Sequence, residues 1–420
     1  MGTFTYTQSA VYSLFMLVRE TVIAYLLFKL TKLEQGGHVQ RKIACLWKEP
    51  RAPEGYETAV SLHGHTNCSK ESLHFIADFA DKFGLLQWFL SLKERKAMRD
   101  SSIRFDFDRA YWTPPLTPNA AYELEFDQIN EKLALNGIVS LTDHDNIQAA
   151  LSLRVHQDEA AVPISIEWSV PYGGDELHIG LHNLPAGDAP AIVARMNEYT
   201  GDPREYILRE ILAELNARPD VLIVLNHPLW DIAGAGSDLH CEAVNSFMGK
   251  LGQHIHAFEL GGLRSWEENR AVYDLAAEWN VAVIGGGDRH GCEPSACLNL
   301  THAASFPEFI SEVRTHKRTN VLFMPQYARP LWERMLQVVL DATAHQPHNP
   351  AGAHWDARTF HPDPKGNLRP LSELWRRRPA FIEVIFGVFR LLESGAIRQA
   401  IASHVKRRQQ MQFLLGHEEA

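Results

Sequence analysis

Cysteine is scarce in this chain, and the five present (Cys45, Cys68, Cys241, Cys292 and Cys297) include no Cys-x-x-Cys pair. An odd number without paired spacing excludes a disulfide framework or a zinc ribbon as the organising principle and suits a reducing compartment. Basic charge is short too: 41 Lys and Arg against 51 Asp and Glu leave a net charge of −10. An acidic surface offers no overall electrostatic footing for nucleic acid, which is therefore a disfavoured partner, though a local basic patch would leave it open. Long apolar runs are missing as well. The densest stretch, 11–33, is broken by Arg19 and Glu20, so no uninterrupted span reaches the ~20 residues a membrane crossing needs. No basic segment precedes it, and a signal peptide is not expected. Internal repeats are absent. Together these absences favour a cytoplasmic protein, membrane-associated only through its terminal segments.

Those segments have surfaces to bury. The helix expected at 11–33 has only a narrow polar stripe (Ser13, Glu20, Thr31), so it must pack on the protein body, a second subunit or a membrane interface. Packing on protein is the favoured outcome. Arg376-Arg377-Arg378 precede two further helices expected at 381–392 and 396–413. Basic clusters beside apolar helices can mark self-association or peripheral membrane contact.

What the chain does have is histidine, 21 residues of it, and 45% hydrophobic content, enough for one large domain with extensions. The histidines gather where apolar runs end. Val60-Ser61-Leu62-His63-Gly64-His65-Thr66 places two histidines two residues apart, on one face if the strand continues through them. Neutral imidazoles converging on one point suit a divalent metal. Similar endings recur at Thr142-Asp143-His144-Asp145, Glu167, His178, His227 and Asp288-Arg289-His290. Strands are expected at 58–63, 137–142, 161–168, 176–181, 221–226, 255–260 and 281–287, with helices at 118–135, 206–217 and 265–279. Such alternation predicts parallel strands in an α/β layer or barrel, with the chemistry at the carboxyl ends of the strands.

Three divisions follow: an apolar helix and polar connector at 1–56, a metal-binding barrel at 57–325, and a helical extension at 326–420. An aromatic-rich insertion at about 73–112 interrupts the barrel after its first strand, where a rim over the site or a hairpin on the barrel's side are the two options. Residues 342–370 read as loop.

The motifs resemble, in order across about 57–325, those of the PHP (polymerase and histidinol phosphatase) family of metal-dependent phosphoesterases. The family's Asp-x-His-x-His-Thr is matched by Ser61-Leu62-His63-Gly64-His65-Thr66, and its Thr-Asp-His-Asp is intact at 142–145. Its strand acid is matched by Glu167, its strand histidine by His178, and its Ala-His-Pro by Asn226-His227-Pro228. Phe258-Glu259-Leu260-Gly261 stands for Ile-Glu-Val-Tyr, and Gly286-Gly287-Asp288-Arg289-His290 for the closing Gly-Ser-Asp-Ala-His. The resemblance implies a distorted seven-stranded β/α barrel holding two or three divalent ions and hydrolysing a small phosphomonoester or short phosphodiester. One ion would take His63, His65, Glu167 and Asp288; another Glu167, His178 and His227; a third His144, His290 and a residue near the first motif. Lys70 and Glu71 occupy that last position, and only Glu71 can serve as a ligand. Mixed imidazole and carboxylate shells favour Zn²⁺, Mn²⁺ or Fe²⁺. Asp143, Lys70 and Arg289 are the candidate catalytic residues, the two cations as contacts to phosphate oxygens. His182 and His240 match no ligand position and read as structural.

Two other functions compete. An amidohydrolase-like C–N hydrolase fits His-x-His, but no strand-end lysine offers a carbamate bridge. A catalytically weak metal-binding barrel working as an interaction module fits the departures at Ser61 and Lys70.

Overall fold

The computed structural model describes residues 40–46, 48, 54–73, 109–155, 162–375 and 386–387. The helix expected at 11–33, most of the insertion at 73–112 and nearly all of the helices expected at 381–392 and 396–413 lie outside the described residues. The strands are β1 (Gln40–Cys45), β2 (Thr58–Leu62), β3 (Glu71–Ser72), β4 (Tyr111–Trp112), β5 (Asn136–Ser140), β6 (Ile166–Tyr172) and β7 (Asp175–His182). They continue with β8 (Leu222–Leu225), β9 (Ala257–Gly261), β10 (Ala282–Gly286), β11 (Cys297–Thr301), β12 (Arg318–Phe323), β13 (Thr359–Pro362) and β14 (Leu368–Pro370). The helices are α1 (Pro118–Leu133), α2 (Gln148–Arg154), α3 (Ala189–Gly201), α4 (Glu205–Asn216), α5 (Ser237–Leu251), α6 (Trp266–Trp279), α7 (Phe306–Arg314), α8 (Leu331–Thr343) and α9 (Leu371–Leu374).

Local chemistry sets several of these boundaries. Thr117 accepts the Ala120 N–H at the start of α1, Pro118 fills a position needing no N–H, and Ala134 ends the helix in the left-handed region. Ser265 caps α6 through Glu268 N–H, and left-handed Asn280 closes it.

The protein is mixed α/β. Two five-stranded sheets run in the orders β1-β12-β11-β2-β5 and β10-β9-β8-β7-β6, and a four-stranded sheet runs β14-β13-β4-β3. Every expected strand has a counterpart, but the all-parallel arrangement does not hold. β2–β5, β8–β9 and β9–β10 are parallel, whereas β6 and β7 form an antiparallel hairpin, β7 runs antiparallel to β8, and β11 to β2 and β12. The hairpin turns at Gly173 and Gly174, whose φ values of 64° and 85° suit glycine.

Nor do the ladders close into one barrel. The two large sheets meet at isolated bridges, Gly64 with Arg289 and His144 with Glu167. The physical reason lies at the strand ends: backbone hydrogen bonds cross there, from Gly287 N–H to the Leu62 carbonyl at 2.8 Å and from His65 N–H to the Arg289 carbonyl at 2.9 Å, but His63 (φ 61°) and Asp288 (φ 49°) leave the pleat, so no ladder forms between β2 and β10.

The sheets nonetheless share an apolar interior. Val60 and Leu62 of β2, Leu222 and Val224 of β8, Ala257 of β9, and Ala282 and Ile284 of β10 pack with Phe306, Phe309, Ile310 and Val313 around α7. Since β8, β9 and β10 contribute their first residues, α7 plugs the amino ends of the strands and leaves the carboxyl ends for the site. A larger core, with Trp168, Phe247 and Phe258, joins the β6–β10 sheet to its outer helices.

Two regions differ from expectation. The supposed polar connector contains β1, which gains six parallel pairings from β12. The C-terminal region is not purely helical or loop: β13 pairs with β4, and β4 pairs with β3. That small sheet fixes Glu71 opposite Trp112 and roofs the site.

Candidate metal centre

Each functional side chain arrives from a strand or its end. His63 and His65 follow β2, His144 follows β5, His227 follows β8, and Asp288 and His290 follow β10. Glu167 and His178 instead stand within the β6–β7 hairpin, so not every candidate ligand lies at a strand end. His63, His227 (φ 27°) and Asp288 all hold positive φ, which costs about 1–3 kcal/mol each and clusters at functional sites. Same-face alternation of His63 and His65 is therefore not what brings them together; the backbone turn does.

Glu167 is the hub. Its Oε2 lies 2.9 Å from His63 Nε2, 3.2 Å from His65 Nε2 and 3.3 Å from His144 Nε2. Its Oε1 lies 3.2 Å from both His178 Nδ1 and His227 Nε2 and accepts Asn226 Nδ2 at 2.9 Å. The two oxygens thus divide the imidazoles into two sets. Asp288 Oδ1 stands 3.7 Å from both His63 and His65 Nε2, beside the first set. A further set surrounds Glu71: His290 Nε2 at 2.9 Å, and His65 Nδ1 and His144 Nε2 at 3.5 Å.

This donor set fits divalent cations. Three groups of potential ligand atoms converge within 4.8 Å: His65, Glu71, His144 and His290; His63, His65 and Glu167; and His144, Glu167 and His178. His65 Nε2, His178 Nδ1 and Glu71 Oε1 are buried without a hydrogen-bond partner, lone-pair atoms aimed into a shared space. Outer partners orient the rings: His63 Nδ1 meets Glu259 at 2.8 Å, and His290 Nδ1 meets the Asp288 carbonyl at 2.9 Å. Gly286 is what lets Glu259 lie there, since a Cβ would come within 2.3 Å of its carboxylate.

The electrostatics follow from burial opposed by pairing. Burial would depress His65, but Glu71, Asp288 and Glu167 carry it up to about 10. Burial likewise opposes His178, which Glu167 and Glu176 raise to about 10. For His144 burial wins, taking it down to about 4. Glu167 is held well below the carboxylate range: burial raises it, but His63, His144 and His178 prevail.

The cleft at these groups measures about 270 Å³, and its lining includes Trp230, Ile232, Leu263 and Met335 together with Lys70, Arg109, Tyr111 and Trp112. The described end of the insertion therefore borders the site.

All nine sequence-predicted ligands come together here, namely His63, His65, Glu71, His144, Glu167, His178, His227, Asp288 and His290. The three predicted catalytic residues do not share one place. Lys70 is exposed at the mouth, its Nζ 5.4 Å from the Tyr111 ring centroid. Asp143 does not line the cleft: its buried carboxylate accepts Thr66 N–H at 2.6 Å and Thr66 Oγ1–H at 2.7 Å, and burial pushes it up to about 6. Arg289 also turns away from the ligands, because its backbone bridges to Gly64 after β2 and its side chain runs to Glu125.

Sequence reasoning missed Asp145, Asn226, Glu259, Trp230 and Glu176 as parts of the site. Asp145 lines the cleft and accepts Ser169 N–H at 2.9 Å. Arg264 pairs with Asp288 Oδ2 at 2.9 Å and stacks on Trp230 with its guanidinium carbon 3.3 Å from the ring centroid. The signal for Asp145, Asn226 and Glu259 lay inside the matched motifs; Trp230 and Glu176 carried none.

No protein-family model matches the chain, and no curated protein matches it. Among solved structures, PsfC from Pseudomonas syringae is 17% identical with a TM-score of 0.36, over 51% of this chain and 87% of its own. A proposed metal-dependent phosphoesterase from Bifidobacterium adolescentis is 14% identical with a TM-score of 0.29, over 48% of this chain and 91% of its own. An amidohydrolase from Chromobacterium violaceum, with bound sulfate and no metal, is 15% identical with a TM-score of 0.29, over 53% of this chain and 91% of its own.

Proposed function

We propose that this chain is a metal-dependent phosphoesterase of the PHP type, acting on a small phosphomonoester or short phosphodiester. The observation that carries the reading is the division of five imidazoles between the two oxygens of one buried carboxylate, Glu167. A carboxylate so placed is suited to bridge two cations, and two-cation sites recur in phosphoryl chemistry. His63, His65, Asp288 and Glu167 Oε2 would hold one ion, and His178, His227 and Glu167 Oε1 a second. Glu71, His144 and His290 would hold a third. We read the two large sheets, bridged at Gly64–Arg289 and His144–Glu167, as a distorted seven-stranded barrel around this centre.

Divalent ions, when bound, supply Lewis-acid charge and water of lowered pKa. The protein's own residues then decide which substrate fits. Lys70 and Arg109 place positive charge at the mouth to draw in an anionic ester. Arg264 fixes the Asp288 carboxylate from behind, and Glu259 does the same for His63. Trp230, Ile232, Leu263 and Met335 give the cleft an apolar lining against which the organic part of an ester can pack.

The deciding experiment is a hydrolysis panel on purified protein loaded with Zn²⁺, Mn²⁺ or Fe²⁺, comparing phosphomonoesters, phosphodiesters and amides. Chelator-sensitive release of phosphate or of an alcohol from a phosphodiester is expected. Amide cleavage alone would favour C–N hydrolysis. Stoichiometric metal without turnover of any class would favour the binding module.

A further inference from the structure

Beneath the cluster lies a buried ion pair that touches no candidate ligand side chain, yet joins the two segments that carry four of them. Glu125 comes from α1 and Arg289 from the turn after β10, between Asp288 and His290. Glu125 Oε1 and Arg289 Nε are 2.9 Å apart with both side chains almost wholly buried. Arg289 Nε makes no directed hydrogen bond, so this contact is one of charge. The other guanidinium nitrogens are directed: one donates to the Gly291 carbonyl at 2.9 Å and one to the His65 carbonyl at 2.9 Å. Arg289 also accepts the His65 N–H on its own carbonyl at 2.9 Å. One residue therefore grips His65 on both of its backbone polar groups.

Glu125 is anchored in turn. It accepts Ser61 Oγ–H at 3.0 Å and Ser295 N–H at 3.1 Å. Ser61 stands in β2 just before His63, and the guanidinium lies against Gly64, where a Cβ would approach it to 3.4 Å. All these contacts fall where the segments after β2 and β10, strands of different sheets, are joined by the single bridge Gly64–Arg289.

A buried ion pair is weak ground for stability, since well-packed apolar groups of the same volume often serve as well. What it supplies here is direction: a planar fork bound to two carbonyls at fixed angles. Resting on the metal-centre reading above, we infer that Glu125–Arg289 is a positioning clasp that sets the spacing between His63–His65 and Asp288–His290 for divalent-ion binding.

The test is Co²⁺ titration followed by visible absorption, with circular dichroism reporting the fold. Arg289→Lys keeps the charge opposite Glu125 but loses the fork. The clasp predicts Co²⁺ affinity weaker by roughly 10–100-fold, the range for losing an outer partner, and an altered absorption band in a folded protein. A folded Arg289→Lys variant with wild-type affinity and band would overturn it. If that variant does not fold, the neutral double variant Glu125→Gln/Arg289→Met decides by the same two readouts, the wild-type values again overturning the clasp. Wild-type protein that takes up no Co²⁺ would instead overturn the metal-centre reading itself, and the clasp with it.

Discussion

Among the described residues, histidine and carboxylate gather around Glu167 and around His240, and the two places differ in what their nitrogens face. His240 Nδ1 meets Asp175 at 2.6 Å, and its Nε2 meets the Pro228 carbonyl at 3.0 Å. Nearby Asp231 accepts the Ala235 and Gly236 N–H groups, both at 2.8 Å. Although Asp175, Asp231 and His240 converge closely enough to suggest an ion, every one of them is already engaged. Around Glu167 the reverse holds: buried ring nitrogens crowd the shared carboxylates of Glu167 and Glu71, and three ring nitrogens, on His65, His144 and His178, have no hydrogen-bond partner. Proximity alone does not distinguish a ligand set from a structural network; the disposition of lone pairs does.

The sharpest way to break this comparison is to remove each hub. Glu167→Ala should weaken metal binding by more than ~100-fold, beyond the loss of an outer partner, and abolish hydrolysis. Full metal content by elemental analysis would end its role as bridge. Next in size is the effect of acidity. His65 and His178 carry protons at neutral pH when held near 10, so an ion must displace them. Affinity should rise with pH, by about tenfold per unit for each proton displaced, and uptake should release protons into a weakly buffered solution. A flat affinity between pH 6 and 8 would contradict that.

Glu71→Gln should lower the metal count by about one of three ions while leaving the Glu167 pair loaded. An unchanged count would reduce the site to two. At the closed cluster, Asp175→Asn should leave the count untouched and cost about 1–3 kcal/mol of stability, because it strips His240 of a buried partner. Denaturant unfolding checks the second part, and any loss of metal would erase the contrast between the clusters. Smallest of all, Lys70→Met should cut turnover by less than about tenfold with no change in metal, since an exposed ammonium acts through high dielectric. Unchanged steady-state kinetics would remove Lys70 from the site.

The candidate ligands were legible because metal shells demand rare residue types, and these stood at the ends of, or within, apolar runs that also read as strands. Glu71 could be named as a ligand, but not the sheet that holds it, since β3 and β4 are two residues each and β4 joins them to β13 across more than 240 positions of chain. Strand direction was illegible for a similar reason. The β6–β7 hairpin needs only the Gly173-Gly174 turn, too short to look unlike any other loop. Arg289 was misread because composition places a cation beside two ligands without saying which way it turns. The positive φ of His63, His227 and Asp288 was not legible either: His and Asp are enriched in that conformation, but most residues of both types do not adopt it, so the residue type alone does not mark the position.

The α7 plug has a consequence for traffic. Phe306, Phe309, Ile310 and Val313 fill the apolar interior shared by the two sheets, and side chains packed this way leave no water-filled passage through it. Among the described residues the cleft opens beside Lys70 and Trp230. A cleaved alcohol and its phosphate leaving by that opening would meet the incoming substrate there, and inorganic phosphate should act as a competitive inhibitor.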